Sequence, residues 1–288
     1  MAEFDIKAAI AQAATKGPDM TQAQTGGGGG YTPPAAGVCL ATLIGYIEIG
    51  KQKKTYNKQE KVVEQVQLIF ELAGGKNAPR ELEDGTKLPH RITVTETLSL
   101  NEKANFFKLF KKLNYNGEAK HMCQLLGKHW LVNIIHTDNG KDGAERRVYA
   151  NVRNEDGYTF RPPVRIVGDE LAGDAKEIPI PAPEVLSELR LFLWDFPTKP
   201  MWDSLYIPGE YEERKDEKTG KVTAPAKSKN VIQEKIKSAL NWVGSPMHEL
   251  LQEGDRLELG ELGETEVDAS TAAPGAGAAA GDDPLADL

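Results

Sequence analysis

The sequence predicts a mainly β fold with a few α elements, in which five strands form a small barrel and a helix lies between the third and fourth strands. Two observations support this prediction. Runs rich in β-branched residues recur between residues 38 and 153, separated by Gly, Pro, Asn and Asp, and one stretch after residue 99 changes to a helical period. The 288 residues, 40% of them hydrophobic, suffice for one good-sized domain with extensions.

The first three strands are predicted from β-branched composition and alternation. Residues 38–50 (VCLATLIGYIEIG) form the first strand, and a polar, basic loop follows at residues 51–61. Residues 62–72 (VVEQVQLIFEL) form the second strand. A connection rich in Gly, Pro and Asp leads to residues 91–98 (RITVTETL), where the period of two predicts the third strand.

After the third strand the hydrophobic period changes from two to that of a helix. Residues 99–102 (SLNE) have the form of a capping box, which predicts a helix that starts near Leu100. Apolar residues then recur at helical spacing: Phe106, Leu109, Phe110 and Leu113. A short helical turn is predicted at residues 120–126.

Residues 129–137 and 145–153 are predicted to be the fourth and fifth strands, joined by a turn at residues 138–143 (DNGKDG). The order strand, strand, strand, helix, strand, strand is that of an OB-fold, a five-stranded barrel that grips single strands of nucleic acid with its loops. Residues 189–195 and 231–243 are predicted to be a further strand and helix. We expect both to pack against the barrel as an extension, without a second independent core.

The basic loop after the first strand is the leading candidate for a binding site. Tyr56 lies there among five lysines: Lys51, Lys53, Lys54, Lys58 and Lys61. Proteins that bind single-stranded DNA pair cations, which neutralise phosphates, with aromatic rings, which stack on bases. The simpler alternative is a solvated lysine-rich loop.

The fifth strand and the residues after it give a second candidate surface. Alternation places Val148, Ala150 and Val152 on the inner face and predicts that Arg147, Tyr149, Asn151 and Arg153 lie on the outer face. Aromatic and basic residues continue beyond the strand as Tyr158, Phe160 and Arg161. The simpler alternative is an ordinary amphipathic strand with aromatic packing.

Charge is segregated along the chain, whose net charge is −8. Residues 253–288 contain ten acidic residues and one basic residue, a charge of −9, whereas residues 31–167 carry +6. The sequence therefore predicts a flexible arm at residues 1–30, a binding domain at residues 31–252 and a disordered acidic tail at residues 253–288.

Evidence for catalysis is weak. No Gly-rich phosphate loop is present, and no cofactor or metal is expected. His121, Cys123 and His129 lack the spacing of a zinc site, and the four tryptophans are expected to be packing residues: Trp130, Trp194, Trp202 and Trp242. Carboxylates at Asp138, Asp142 and Glu145 could hold magnesium in a nuclease, but a tight turn also explains them.

The arrangement resembles the replicative single-stranded DNA-binding proteins of tailed bacteriophages. The resemblance rests on residues 99–112 (SLNEKANFFKLFKK), on residues 241–249 (NWVGSPMHE) and on the basic loop, and it covers residues 31–252. It implies a protein of the host bacterial cytoplasm that coats exposed DNA during replication and recombination. Bacterial proteins of this kind carry an acidic tail whose tip recruits replication enzymes such as a polymerase or a helicase. A similar tip is present here: Asp282, Asp283, Pro284, Leu285, Asp287 and Leu288.

Three functions therefore compete at this point. The favoured one is a non-catalytic protein that binds single-stranded DNA. No membrane partner is expected, because the chain lacks an apolar run of about 18 residues. The alternatives are a magnesium-dependent nuclease and a non-enzymatic phage assembly protein. The oligomeric state does not follow from the sequence.

Overall fold

Strands provide most of the regular structure in the computed structural model, which describes residues 33–56, 59–82, 84–138, 140, 148–168, 174–215 and 222–263. In chain order the strands are β1 (Gly37–Tyr56), β2 (Gln59–Ala73), β3 (Arg80–Glu81), β4 (Lys87–Leu88), β5 (His90–Thr97), β6 (His129–Asp138), β7 (Val148–Asn151), β8 (Arg153–Asn154), β9 (Gly157–Tyr158), β10 (Val164–Val167), β11 (Lys176–Pro179), β12 (Arg190–Phe192), β13 (Glu210–Tyr211), β14 (Arg214–Lys215), β15 (Val222–Ala224) and β16 (Lys227–Ser228). The helices are α1 (Asn105–Leu113), α2 (Lys199–Ser204), α3 (Val231–Lys237) and α4 (Pro246–Gly263), and short 3-10 turns lie at Gly75–Asn77 and Met122–Leu125. The mainly β prediction is confirmed.

The main sheet has the strand order β5–β2–β1–β6–β7, and β12 pairs in parallel with β1. These five strands are the predicted third, second, first, fourth and fifth, with α1 between the third and the fourth as expected. Within the described residues no backbone pairing joins β5 to β7, so the sheet is not closed. The closed five-stranded barrel is therefore not confirmed.

The inner face of the sheet carries the larger core. Leu43, Phe70, Trp130 and Phe160 are fully or almost fully buried there, and α1 covers them with its apolar stripe. The indole N–H of Trp130 donates to the carbonyl of Leu113 at 2.9 Å, which ties the fourth strand to the end of α1. The predicted helical face and the packing role of Trp130 are confirmed.

A second core lies on the opposite side of β1. Ile47 and Ile49 pack there against Phe192 of β12, Trp202 of α2 and Ile236 of α3. The prediction that the later elements pack against the sheet is confirmed, but their own apolar cluster was not predicted. This cluster forms because the bulges of β1 between Leu43 and Lys51 turn isoleucines outward under the returning chain.

Several predicted boundaries are wrong. Helix α1 begins at Asn105, because residues 99–104 make local turns: the Ser99 hydroxyl accepts from the amide of Asn101, and the Asn101 side chain accepts from the amide of Lys103. Such local bonds compete with helix formation. The helix predicted to Val243 ends at Lys237, which leaves Val243 83% exposed.

The two charged segments also differ from their predictions. Most of the predicted basic loop is strand, because β1 extends to Tyr56 and β2 begins at Gln59. At the other end, α4 runs to Gly263, so the tail predicted from residue 253 begins inside a helix. Among the described residues, no helix has the length and apolar character needed to cross a membrane.

Candidate nucleic-acid interface

The β1–β2 hairpin divides its lysines between two faces. On one face Lys51 lies opposite Glu64, and the ammonium of Lys53 lies 3.6 Å from the carboxylate of Glu60. Exposed pairs of this kind add little stability. Their effect is to balance the charge, so this face of the hairpin offers no net positive potential to a phosphate.

The other face of the hairpin carries Lys54 and Lys61, which are direct cross-strand partners. Both are exposed, and neither has an ion pair among the described residues. Like charges directly opposite one another are unfavourable in a sheet. The pair is therefore suited to an anionic ligand that would relieve the repulsion.

The backbone of Tyr56 pairs with Gln59, two positions beyond the lysine pair. The side chain of Tyr56 and the whole of Lys58 lie outside the described residues. Their predicted roles in binding DNA remain predictions.

The base of the hairpin is fixed by the C-terminal elements. The amide of Lys51 donates to the side chain of Asn241 at 2.7 Å, and the buried Gln52 amide donates to the carbonyl of Lys235 at 3.2 Å. Gly50 allows this packing, because its φ is +68° and a Cβ would lie 2.3 Å from the Trp194 ring. The lysine faces are thus carried on an anchored hairpin.

Lys235 is an exposed residue whose position beside the hairpin was not predicted from the sequence. Its carbonyl contacts Gln52, which shares a hairpin face with Lys54. The contact places the backbone of Lys235 beside that face of the hairpin. No local pattern reveals this, because residues 52 and 235 are far apart in the chain and α3 alone has the appearance of an ordinary amphipathic helix. We call the cross-strand pair Lys54 and Lys61 the lysine face.

On the fifth strand, the predicted alternation of burial is confirmed. Val148 and Ala150 are half-buried and Val152 is buried, whereas Tyr149 is 43% exposed and Asn151 is exposed. The Asn151 side chain donates to the hydroxyl of Thr137 at 2.8 Å. Arg147 lies outside the described residues. Tyr149 is thus placed as a ring that a base can reach.

Tyr158 and Phe160 are corrections to the predicted site. The Tyr158 hydroxyl donates to Glu96 at 2.5 Å, and burial together with this carboxylate raises the pKa of Tyr158 above its usual range. Phe160 is fully buried, with its ring centre 4.7 Å from that of Phe70. Neither ring is available to stack on a base in this conformation, so both belong to the core.

Arg153 and Arg161 remain at the surface. The guanidinium of Arg153 lies 3.9 Å from Glu96 and 5.8 Å from the centre of the Tyr158 ring. The backbone of Arg161 pairs with Leu131 in both directions, which leaves its exposed side chain free to turn outward. Arg161 is therefore the less engaged of the two cations.

A groove of about 230 Å³ marks the opening between the third and fifth strands. It is lined by residues 92–96 of β5, residues 150–153 and Tyr158. Arg153 lies at this groove, and Glu96 bridges its two sides through Tyr158. Neither Lys54 nor Lys61 lines this groove, which is therefore a second candidate surface.

The suggested metal ligands have other partners. His121 caps the short 3-10 turn and contacts the sulfur of Cys123 at 3.0 Å, while His129 contacts the carbonyl of Ile180. Asp138 accepts the amide of Gly140, as a tight turn requires, and Asp142 and Glu145 lie outside the described residues. In the part of the chain that is described, no cluster of three or more His, Cys, Asp or Glu residues could hold a metal ion.

The predicted partner-binding tip of the tail, residues 282–288, also lies outside the described residues.

Comparisons with protein-family models, with curated proteins and with solved structures each found no match.

Proposed function

We propose that this chain is a non-catalytic protein that binds single-stranded DNA through the lysine face and coats exposed strands during phage replication. The observation that carries the proposal is the opposed pair Lys54 and Lys61, which has no counter-charge among the described residues. Each lysine that neutralises a phosphate releases counterions, which favours binding entropically.

The strand order supports an OB-type sheet. An OB barrel places its first strand between the second and fourth and joins the third to the fifth. The first strand lies between the second and the fourth here too, and the third and fifth strands face each other across the groove. The hairpin after the first strand, where the lysine face lies, is one of the two loops with which OB-folds hold single strands.

Tyr149, on the second candidate surface, supplies an exposed aromatic ring, and we assign it to the same DNA-binding role. A base stacked on an exposed ring contributes about 1–3 kcal/mol without selecting a sequence. Arg153 and Arg161, which follow the fifth strand in the chain, supply exposed cations. We assign the remaining acidic residues after α4, and the tip at residues 282–288, to recruitment of replication proteins such as a polymerase or a helicase.

Fluorescence anisotropy of a labelled oligo-dT tests this proposal. A dye on the DNA is the better reporter, because Trp130 and Trp202 are buried and poorly placed to sense a ligand. We expect binding at low salt that is reversed by added salt, and intact DNA after incubation with magnesium. Cleavage would favour the nuclease alternative, and an absence of binding at low salt would favour the assembly protein.

A further inference from the structure

A cavity of about 250 Å³ lies beside β2 and β5, where the segment before β12 crosses the sheet. Its walls combine two arginines, one serine and one glutamate with apolar side chains. The lining residues are Ile44, Ile69, Arg91, Leu186, Ser187, Glu188 and Arg190. None of them belongs to the candidate surfaces described above.

The crossing segment is held in place by a buried carboxylate. Glu71 of β2 is 3% exposed, and its two oxygens accept the backbone amides of Leu186 and Ser187 at 2.8 and 2.9 Å. Arg91, the cross-strand partner of Glu71, donates from Nε to the Ser187 hydroxyl at 2.9 Å. Glu71 thus fixes the wall of the cavity, and both of its oxygens are already engaged.

The two arginines retain unused donors. In the described residues, the terminal amino groups of Arg91 have no hydrogen bond, and neither Arg91 nor Arg190 has a carboxylate within 4.0 Å. Arg190 is half-buried. Its burial, and to a smaller extent the charge of Arg91, lowers the pKa of Arg190, and the charge of Glu188 partly offsets this shift. Two like charges share the cavity, and neither has a carboxylate ion pair among the described residues, which is an unfavourable arrangement.

We propose that Arg91, Ser187 and Arg190 form a binding site for a phosphate group. Guanidinium groups match the oxygens of phosphate with paired N–H donors, and the serine hydroxyl can add a further bond. The phosphate comes either from a small molecule, such as inorganic phosphate or a mononucleotide, or from the backbone of a nucleic acid. The site depends on its own geometry and not on the proposed function.

Thermal unfolding of the full chain in sodium phosphate, with sodium chloride at equal ionic strength as the reference, tests the site. We expect a saturable rise in Tm of roughly 2–4 °C at about five times the Kd. The rise should vanish in the variant Arg91→Gln with Arg190→Gln. It should persist in Arg80→Gln with Lys87→Gln, which removes the same charge from exposed positions on β3 and β4.

A third variant keeps the test decisive. Glu188→Gln should tighten phosphate binding, because it removes a repulsive charge from the cavity, and this variant keeps both arginines if the double variant fails to fold. No phosphate-specific rise in the unchanged protein, or weaker phosphate binding in Glu188→Gln, would overturn the proposal.

Oligo-dT binding identifies the source of the phosphate. If the site holds the DNA backbone, the double arginine variant should lose about 0.7 from the slope of log K against log salt, as the loss of one phosphate contact to a single strand requires. If the slope is unchanged while the phosphate-dependent rise in Tm is lost, the site takes a small phosphate compound. Either result supports the site, and neither requires the lysine face to bind DNA.

Discussion

Neutralising the lysine face should weaken DNA binding by an amount that follows from counterion release. In the variant Lys54→Gln with Lys61→Gln, two phosphate contacts are lost. Each contact to a single strand contributes about 0.7 to the salt slope, so the slope should fall by about 1.4. At 0.1 M salt this corresponds to roughly a 25-fold loss of affinity. Folding should be retained, because both side chains are exposed and the hairpin loses only a repulsion.

The matched control is Lys51→Gln with Lys53→Gln, which removes the same charge from the same hairpin. These lysines lie opposite Glu64 and beside Glu60, so their charges are already balanced. We expect a clearly smaller change in slope and affinity when both variants are titrated with labelled oligo-dT between about 50 and 200 mM salt. Equal losses in the two variants would refute the division of the hairpin into two faces, and an unchanged slope in the first variant would move the site elsewhere.

Three further changes separate core from surface. Phe160→Ala should lower the free energy of unfolding by about 3–5 kcal/mol in guanidinium titrations, because the ring is fully buried, while the folded fraction binds oligo-dT normally. Tyr149→Ala should weaken binding by about 1–3 kcal/mol without changing the salt slope, since stacking releases few counterions. A lower Tm with unchanged affinity for oligo-dT would instead assign the ring to packing. Removing residues 264–288, with their six acidic side chains, should tighten oligo-dT binding most at low salt, because a tethered acidic segment competes with DNA for the cations of the binding surface; equal or weaker binding would contradict this competition.

The order of the main elements could be predicted from the sequence because each has a local signal. Alternation in residues 91–98 and the apolar spacing from Phe106 to Leu113 depend only on neighbours along the chain. The extension of β1 to Tyr56 could not be predicted in this way. Its Lys-rich part has no apolar face, and it is strand because it pairs with β2 and bonds to Asn241.

The second core and the composition of the site depend on long-range contacts. Ile47 and Ile49 are buried only because β12 returns in parallel beside β1 and brings Phe192 and Trp202 with it. Tyr158 was predicted at the surface since it belongs to a basic and aromatic run, but the buried Glu96 on a distant strand holds its hydroxyl inside. The pairing of Lys54 with Lys61 requires the register of the hairpin, which no composition reveals.

The preference for single strands is the claim to test most directly. Parallel salt titrations of the full chain with oligo-dT and with duplex DNA of equal length separate a single-strand site from a generally basic surface. We expect tighter binding to oligo-dT at every salt concentration, with a difference that persists as salt rises, because stacking on Tyr149 is available only to unpaired bases. Equal affinity for the two forms, or a preference for the duplex, would contradict a single-strand binding site.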